Sequence, residues 1–390
     1  MTLKDTITDI IRQAIVAAQQ AGKLPTVTIP EIIIERPQNP EHGDYASSIA
    51  LKLARAVGNS PMNIAGEIAS FVSTSREIDS VTVAPPGFIN FTLKDSWLAS
   101  QVQDILEAGM ASGNIDAGGG KRVQVEFVSV NPTGPLHVGH GRGAILGSTL
   151  ASILTAAGYE VEKEYYINDA GNQVSTFRRS LLARYQQALG GEAEIPADGY
   201  IGEYLTDMAK EIIDADGDRL RNLSEAELET ELGRIGLEKM IAWIKADLKM
   251  MEVSFDVWFS EQSLYDNKQY ETAMSLLKQG GYLAERDGAT WFVSTALGED
   301  KDNVVVRTDG TPTYFAMDIA YHYNKFIERK FDSVIDIWGA DHMGHVSRMK
   351  AVCGALGIDP DSLTVIISQM VTLRRGGEVV KLSKRSGDII

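Results

Sequence analysis

The segment from residue 123 to residue 168 constrains the fold of this chain more than any other part of the sequence. VQVEFVSV is a nearly continuous apolar run, as expected for a strand that is buried on both faces of a parallel sheet. It leads through the turn residues NPTGP into a helix of small residues, and EVEKEYYIN predicts the next strand. A strand, a tight turn, a helix and a second strand make one βαβ unit.

A second unit of this kind is predicted near the end of the chain. SVIDIWG indicates a strand, the segment around HVSRMKAVCGALG a helix, and LTVIISQ a further strand. Two such units far apart in sequence predict one doubly wound α/β sheet that is interrupted by an insertion. The insertion lies at about 180–285 and is polar and helical. Its apolar residues step by four and three, as on a helix face packed against a core: Leu237, Ile241, Ile244, Leu248 and Met251.

The first 110 or so residues predict a separate, small α/β domain. TVTIPEIIIERP and FINFTL are typical of extended segments. Four helices are indicated: by Ile7, Ile10, Ile11, Ala14 and Ala18, by Tyr45, Ile49 and Leu53, by the cap Ser60-Pro61, and from Asp95 towards Gly109. Residues 111–120, ASGNIDAGGG, are predicted to be a linker because they are rich in glycine.

Charge and cysteine content exclude several classes of protein. The chain has 37 Lys and Arg against 53 Asp and Glu, a net charge of −16, which argues against a histone-like binder of nucleic acid. A local basic site remains compatible with that charge. The single cysteine, Cys353, excludes an internal disulfide and a thiolate zinc site. We expect a cytoplasmic protein with no membrane contact, because a secretory signal pattern and an apolar run of membrane-spanning length are both absent from the sequence.

The most informative motif is His137-Val138-Gly139-His140, at the predicted junction of turn and helix. Two imidazoles three residues apart at a helix start point to the same side. The helix N-terminus adds unpaired N–H groups and the positive end of a dipole, so the motif predicts a site for a polyphosphate anion. The histidines can donate hydrogen bonds to charge that develops on phosphate oxygens. A metal site lacks a third ligand nearby, and a purely structural histidine pair is the other alternative.

A second motif lies at the far end of the chain. Lys381, Ser383 and Lys384 belong to KLSKRSG, where cations and hydroxyls on a glycine-bearing loop suit a mobile phosphate clamp. Taken alone, such a basic segment is more often solvated surface.

Together these segments resemble the class I aminoacyl-tRNA synthetases, whose motifs are written HIGH and KMSKS. The resemblance is closer to arginyl-tRNA synthetase, and it covers essentially all of the chain. The blocks that carry it are GDYASSIALKLA, PPGFINF, EFVSVNPTGPLHVGHGRGAILG, YYINDAGNQV, DGTPTYFAMDIAYH, WGADHMGH and QMVTLRRGGEVVKLSKRSG. The departures are Val138 in the first motif and Leu382 in the second, and neither removes a polar group.

The resemblance implies a Rossmann-like class I catalytic domain at 121–390, with the helical insertion, preceded by a tRNA-contacting α/β domain at 1–110. It implies a reaction in which L-arginine and ATP, as its Mg²⁺ complex, give arginyl-adenylate and pyrophosphate, followed by transfer to tRNA(Arg). We expect no tightly bound metal or organic cofactor, and a monomer. The family continues into a helical anticodon-binding domain after the second motif. Because this sequence stops at Ile390, we expect a truncated chain with impaired charging of tRNA.

The resemblance also implies site residues. ATP would contact Pro135, His137, Gly139, His140, Gly141, Lys381 and Lys384, with Ser383 beside the two lysines at the departing pyrophosphate. Arginine would contact Glu126, Ser129, Asn131, His140, Glu261, Tyr314, Asp318 and Asp341. Tyr314 and Asp318, one helical turn apart, match the guanidinium side of the family's site, whereas which of Glu126 and Glu261 contacts the guanidinium stays open. Ser129 and Asn131 are expected to share one face of a strand. The individual roles of Asp341 and His342 stay open.

Two other functions are compatible with parts of this pattern. HxGH also occurs in nucleotidylyltransferases, but these are usually single short domains without the N-terminal unit and the insertion. The second alternative is a catalytically silent fragment that binds tRNA or a nucleotide. Retention of both histidines and both lysines argues against it on chemical grounds.

Overall fold

A computed structural model of the chain describes residues 2–73, 75–376 and 378–380. The chain divides into two compact units, Met1–Ser112 and Gly113–Ile390. The boundary falls inside the glycine-rich segment 111–120. Each unit has apolar cores of its own among these residues, as expected for separate domains.

The first unit packs helices against an antiparallel sheet. The sheet has the order β1-β2-β4-β3, and Phe91 and Ile11, both 0% exposed, lie in the core that the helices cover. Its elements are α1 (Leu3–Gln20), β1 (Ile34–Glu35), β2 (Tyr45–Ser47), α2 (Ile49–Val57), α3 (Pro61–Ser70), β3 (Ile78–Ala84), β4 (Phe88–Leu93) and α4 (Asp95–Ala108).

Local sequence explains where the helices of this unit begin. Ser60 caps α3, because its hydroxyl accepts the backbone N–H of Asn63 at 3.2 Å and Pro61 occupies the first helical position. The prediction that Tyr45 belongs to a helix is wrong. Tyr45 pairs with Phe91 across β2 and β4, so the helix begins only at Ile49. The extended segment TVTIPEIIIERP contributes only the two residues of β1 to the sheet.

The second unit contains the parallel sheet that the βαβ pattern predicts. The order β12-β11-β5-β6-β7 is parallel throughout, so this α/β unit confirms the predicted fold class. Its elements are β5 (Arg122–Glu126), α5 (Val138–Ala156), β6 (Glu160–Ile167), α6 (Asn172–Ala188), α7 (Glu203–Leu220), α8 (Glu225–Met250), β7 (Val257–Ser260), α9 (Gln262–Asp266), α10 (Gln269–Gln279), β8 (Leu283–Arg286), β9 (Ala289–Phe292), β10 (Asn303–Val306), α11 (Tyr314–Tyr323), β11 (Ser333–Gly339), α12 (Val346–Ala355), β12 (Leu363–Ser368), β13 (Leu373–Arg375) and β14 (Glu378–Val380).

The direction of winding reverses between β5 and β11. From β5 the chain winds through β6 to β7 on one side, and it later returns beside β5 as β11 and continues to β12. In open α/β sheets, ligands bind outside the carboxyl ends of the strands at such a switch point. The fold therefore places a candidate site after Glu126 and Gly339, the last residues of β5 and β11.

The predicted insertion at about 180–285 is not one helical excursion. Helices α6 to α8 follow β6, but β7 within that range returns to the main sheet and pairs with β6. The second excursion carries α9, α10 and the small antiparallel sheet β10-β9-β8. The strand escaped prediction because VWFS is short and only partly buried. The predicted helix face in α8 is confirmed, with Ile244 0% exposed and Leu248 1% exposed in the core.

A glycine seats α5 on the sheet. A Cβ atom on Gly147 would lie 2.1 Å from the ring of Phe127, which follows β5 directly. The absence of a side chain at this position lets the helix approach the strand closely. The third turn of α5, which contains Gly147, is therefore held beside the carboxyl end of β5.

Candidate active site

The loop after β5 departs from the predicted extended strand. Val128 and Ser129 have φ values of 68° and 43°, in the left-handed region, so Ser129 does not lie on a strand face with Asn131. The prediction that these two side chains share a strand face is therefore wrong. The hydroxyl of Ser129 accepts the backbone N–H of Tyr166 at 3.1 Å. The side-chain amide of Asn131 donates to Gln173 Oε1 at 2.8 Å.

A buried tyrosine on β6 holds the same loop in place through its hydroxyl. The hydroxyl of Tyr165 donates to the carbonyl of Val130 at 2.7 Å and accepts the N–H of that residue at 3.0 Å. Burial raises the pKa of Tyr165 well above its ordinary value, so the hydroxyl keeps the proton that it donates. These two hydrogen bonds fix the backbone at Val130, between β5 and the histidine motif.

The two histidines of the motif stack at the N-terminus of α5. Their ring centroids lie 3.5 Å apart, so both imidazoles face the same side, as the spacing predicts. Nδ1 of His137 accepts the N–H of Gly139 at 3.1 Å, and Nδ1 of His140 accepts the N–H of His137 at 3.1 Å. In the neutral rings the proton then resides on Nε2, which makes both Nε2 groups donors.

The glycines of the motif have different neighbours. A Cβ atom on Gly139 would lie 2.8 Å from the ring of His137, so a larger residue here would displace that ring. At Gly141 the nearest atom would be the sulfur of Met251 at 3.5 Å, an ordinary contact. Gly139 thus protects the histidine geometry directly. Pro135 lies half-buried in the loop that precedes the motif.

Arg142 ties the start of α5 to the far side of the sheet. Its guanidinium donates to the hydroxyl of Ser368 at 3.1 Å and to the carbonyl of Gln369. Ser368 is the last residue of β12. The histidine motif is therefore anchored from both β5 and β12.

Three acidic side chains from different elements lie near one tyrosine. Glu126 ends β5, Glu261 follows β7 and Asp318 lies on α11. The carboxyl groups of all three act on the phenol of Tyr166, whose pKa burial and these carboxyls raise well above its ordinary value. The structure therefore brings Glu126, Glu261 and Asp318 together around one tyrosine, and we call these three residues the carboxylate cluster.

Glu261 has an unusual protonation equilibrium. The side chain is 5% exposed, and Tyr166 donates to its Oε2 at 2.6 Å. Burial raises the pKa of Glu261 to about 7; the Tyr166 hydrogen bond acts to lower it, and the nearby carboxyls of Asp318 and Asp169 act to raise it. The carboxyl of Glu261 is thus poised to ionise when a cation arrives.

Asp318 and Tyr314 occupy the first turns of α11. Asp318 is half-buried, and burial raises the pKa of its carboxyl although His322 and His342 act in the opposite direction. Tyr314 is 53% exposed and is therefore not a core aromatic residue. The hydroxyl of Thr313 caps the helix by accepting the N–H of Ala316 at 3.4 Å.

Asp169 positions the segment that carries Glu261. Its carboxylate accepts the hydroxyl of Ser260 at 2.6 Å and the backbone N–H of Gln262 at 3.0 Å. These bonds fix the residues directly before and after Glu261 in the chain. Asp169 and Tyr166 were not among the predicted site residues, although both lie in the quoted block YYINDAGNQV.

A network of buried charges lies beneath the carboxylate cluster. The ammonium of Lys325, 0% exposed, donates to Glu126 Oε2 at 2.6 Å and to Asp336 Oδ1 at 2.8 Å. His322 Nε2 lies 3.0 Å from the second oxygen of Asp336. Burial opposes ionisation of Asp336, but Lys325 and His322 outweigh it and lower its pKa to about 2. We call Lys325, Asp336 and His322 the buried charge network.

A neighbouring group of charges braces β6 deeper in the sheet. Glu164, 0% exposed, accepts from Gln124 Nε2 at 2.6 Å and from the hydroxyl of Tyr321. The guanidinium of Arg329 bonds Glu162 and Glu164. None of these residues was predicted, and the signal that could have found them is a charged side chain inside an otherwise apolar strand.

The segment after β11 holds further polar residues. Asp341 lies in a helical turn, largely exposed, with its carboxylate 3.5 Å from His342 Nε2. Arg348 Nη2 lies 2.5 Å from His345 Nδ1. Burial and Arg348 lower the pKa of His345, which favours its neutral ring. The structure does not bring Asp341 into the carboxylate cluster.

Lys381, Ser383 and Lys384 lie outside the described residues. Within the residues that the structure describes, no group of three or more His, Cys, Asp or Glu side chains is arranged to hold a metal ion. In the same part of the chain, no helix combines the length and the apolar character needed to cross a membrane.

The arrangement offers two kinds of recognition at one edge of the sheet. Stacked histidines at a helix N-terminus suit an anion, and carboxylates close to a buried tyrosine suit a cation. A ligand that carries a cationic side chain and reacts with a polyphosphate matches both.

Comparison with known proteins places the chain in a family. A family model described as the arginyl-tRNA synthetase N-terminal domain matches residues 4–93, and one described as the class I (R) tRNA synthetase catalytic domain matches residues 101–390. An arginine–tRNA ligase of Dehalococcoides mccartyi is 57% identical over 390 residues, which are 100% of this chain and 70% of that protein. One of Carboxydothermus hydrogenoformans is 49% identical over 96% of this chain and 67% of its own length.

A solved structure shows the same fold. The arginyl-tRNA synthetase of Thermus thermophilus matches with a TM-score of 0.63 at 20% identity, over 94% of this chain and 66% of that one. The chain thus spans about two thirds of that protein, and 70% of the first relative named above. Because the family models and the relatives cover both units in one order, the chain belongs to the arginyl-tRNA synthetase family of class I aminoacyl-tRNA synthetases.

Proposed function

We propose that this chain activates L-arginine with ATP, as its Mg²⁺ complex, to arginyl-adenylate and pyrophosphate, and transfers the arginyl group to tRNA(Arg). The observation that carries the proposal is the carboxylate cluster at the same sheet edge as the stacked histidines. A cationic amino acid and a polyphosphate are the two ligands that this pairing suits. Family membership and relatives named arginine–tRNA ligase support the same reaction.

At the anion end, His137 and His140 interact with the triphosphate and Gly139 keeps their rings in place. The carboxylate of arginine attacks the α-phosphorus, a P–O bond forms, and the bond to the departing pyrophosphate breaks. Nε2 donors that already point to one side stabilise charge on the α-phosphate oxygens without rearrangement. Lys381, Ser383 and Lys384 hold the pyrophosphate in this proposal. Mg²⁺ would neutralise charge on the phosphate oxygens.

At the cation end, Asp318 and Glu261 bind the guanidinium, and Tyr314 covers it from the exposed side. A guanidinium offers five N–H donors in a planar fork, so two carboxylates can accept from it at once. Glu126 lies at the start of the loop that leads to the histidines, with Ser129 and Asn131 following it. In this proposal Glu126, Ser129 and Asn131 contact the α-amino and carboxylate end of the substrate.

The N-terminal unit contacts tRNA in this proposal; a family model described as the arginyl-tRNA synthetase N-terminal domain matches its residues 4–93. Asp341 is kept as a residue of the arginine site in this proposal, and the individual roles of Asp341 and His342, which follow β11, are not assigned.

Arginine-dependent exchange of pyrophosphate into ATP tests the activation step. We expect exchange with arginine and little exchange with lysine. Added tRNA should increase the exchange rate with arginine. Charging of tRNA is measured separately, because the chain covers 70% of the length of its relative. Binding of arginine without exchange under any condition would support the alternative of a catalytically silent fragment. Exchange that requires a phosphorylated acceptor and ignores arginine would support a nucleotidylyltransferase.

A further inference from the structure

Lys325 is the buried cation that touches both the carboxylate cluster and the strand beside it. Its ammonium lies 2.6 Å from Glu126 Oε2, 2.8 Å from Asp336 Oδ1 and 4.0 Å from the ring centroid of Tyr321. Glu126 ends β5, and Asp336 lies on β11. Lys325 therefore joins the two strands between which the winding of the sheet reverses.

The backbone around Lys325 is unusual. Helix α11, which carries Asp318, continues into a π-helical turn at Asn324–Glu328 that contains Lys325. Such turns are rare and concentrate at functional sites. The position of Lys325 is thus linked through one continuous helix to that of Asp318.

His322 connects Asp336 to the backbone of Asp318. Nε2 of His322 lies 3.0 Å from Asp336 Oδ2, and Nδ1 lies 2.8 Å from the backbone carbonyl of Asp318. Each ring nitrogen of His322 therefore has an oxygen atom within hydrogen-bond distance. Contacts therefore run without a gap from Glu126 through Lys325, Asp336 and His322 to the backbone of Asp318.

The charge of Lys325 opposes the effect of burial on Glu126. Burial raises the pKa of Glu126, and the nearby ammonium of Lys325 lowers it. The bond to Lys325 uses one oxygen of Glu126, whose side chain is 11% exposed. Lys325 thus fixes the carboxyl of Glu126 through one of its two oxygens.

We propose that Lys325 is a positioning residue for arginine recognition, which fixes the carboxyl of Glu126 within the carboxylate cluster. This inference rests on the proposed function.

The test compares Lys325→Met with Arg329→Met in the full chain. Both variants remove a cation from the buried charges under the sheet, but Arg329 bonds Glu162 and Glu164 rather than Glu126. We expect Lys325→Met to raise the KM for arginine about tenfold or more and to change the KM for ATP less than about twofold. Arg329→Met should lower the melting temperature without that selective rise.

Lys325→Arg keeps the positive charge and should recover most of the lost arginine affinity. If Lys325→Met does not fold, Lys325→Met/Asp336→Asn replaces it, because removing both partners leaves a single unpaired carboxylate. Equal changes in both KM values, or the same selective rise in Arg329→Met, would overturn the inference.

Failure of the proposed function gives a different result. If the unaltered chain shows no arginine-dependent exchange, the proposed reaction fails, and calorimetry of arginine binding to the same variants still tests Lys325. If the unaltered chain exchanges and Lys325→Met leaves arginine KM unchanged, only the positioning role fails.

Discussion

Glu261 and Asp336 show how the same chemical group is set to opposite ends of its range by its surroundings. Asp336 faces a buried ammonium and an imidazole, and its pKa is lowered to about 2. Glu261 is buried near other carboxyls, and its hydrogen-bond partner is the phenol of Tyr166. Its pKa is raised to about 7, mainly by burial. The first is a permanent charge of the structure, whereas the second changes its charge near neutral pH.

Arginine binding should therefore depend on pH through Glu261. Below pH 7 its carboxyl is mostly neutral, and a guanidinium favours the ionised form, so affinity rises with pH and levels off above the pKa. Between pH 6 and pH 8 the KM for arginine should fall about tenfold, since one pKa unit corresponds to a tenfold change. Exchange kinetics at fixed ATP measure this. Glu261→Gln should bind more weakly and lose the slope; an identical slope in that variant would contradict the assignment.

Asp318→Asn tests the guanidinium end directly. The substitution keeps the size of the side chain and removes its charge, so it leaves a guanidinium without one ionised partner. We expect arginine binding to weaken by roughly 2–5 kcal/mol, with little change in ATP affinity. Isothermal calorimetry with each ligand separates the two. Asp309→Asn, an exposed loop residue, is the matched control, and an equal loss there would refute a local role.

At the level of elements, the first turn of α5 combines a cap with a proposed catalytic group. His140 accepts the N–H of His137, so it satisfies one backbone donor of the helix start in addition to its proposed contact with the triphosphate. His140→Ala should slow adenylate formation by about 10²-fold. Loss of the cap should cost about 1 kcal/mol of stability.

The two effects are separable by measurement. The exchange rate at saturating ATP and arginine reports the first, and thermal unfolding reports the second. His42→Ala removes an exposed histidine from the other unit and should change neither. A rate loss no larger than the stability loss explains would exclude a catalytic role for His140.

Elements with a strong local signal were predictable, and elements made by distant partners were not. The apolar run of β5, the proline cap of α3 and the seam of α8 each follow from neighbouring residues. Strand β7 is four residues long and exists because β6 provides a partner. The backbone at Ser129 turns left-handed, which no propensity of Val-Ser predicts.

The same distinction holds for the site. Helical periodicity predicted that the two histidines face the same side and that Tyr314 and Asp318 lie one turn apart on a helix. Each pair lies at the start of a single helix, α5 or α11, so local sequence is sufficient. Lys325 and Glu126 are separated by 199 residues, and their pairing follows only from the order of strands in the sheet. A buried lysine looks like any surface lysine in a sequence, so its role became visible only in three dimensions.

On the scale of the whole molecule, net charge and local charge serve different purposes. The chain carries −16 overall, yet the proposed substrates ATP and tRNA are anions. A fixed anion site at the start of α5 reconciles these facts, because backbone N–H groups and Nε2 donors act at contact distance whereas the general field is screened beyond about 8–10 Å. Binding of tRNA should weaken as salt increases, because cationic side chains that contact phosphates release counterions when the complex forms.

The two units should unfold in separate transitions, because each buries its own core. In the first unit the core includes Ile11, and in the second it includes Ile319, both 0% exposed. Ile11→Val and Ile319→Val each delete one buried methylene group and should cost about 0.5–1.5 kcal/mol. For a domain of about 100 residues, 1 kcal/mol lowers the melting temperature by about 4–8 °C. Differential scanning calorimetry should show Ile11→Val shifting one transition and Ile319→Val the other. Added arginine and ATP should raise only the transition that Ile319→Val lowers, since the candidate site belongs to that unit. A single transition that both variants shift equally would show that the units unfold as one.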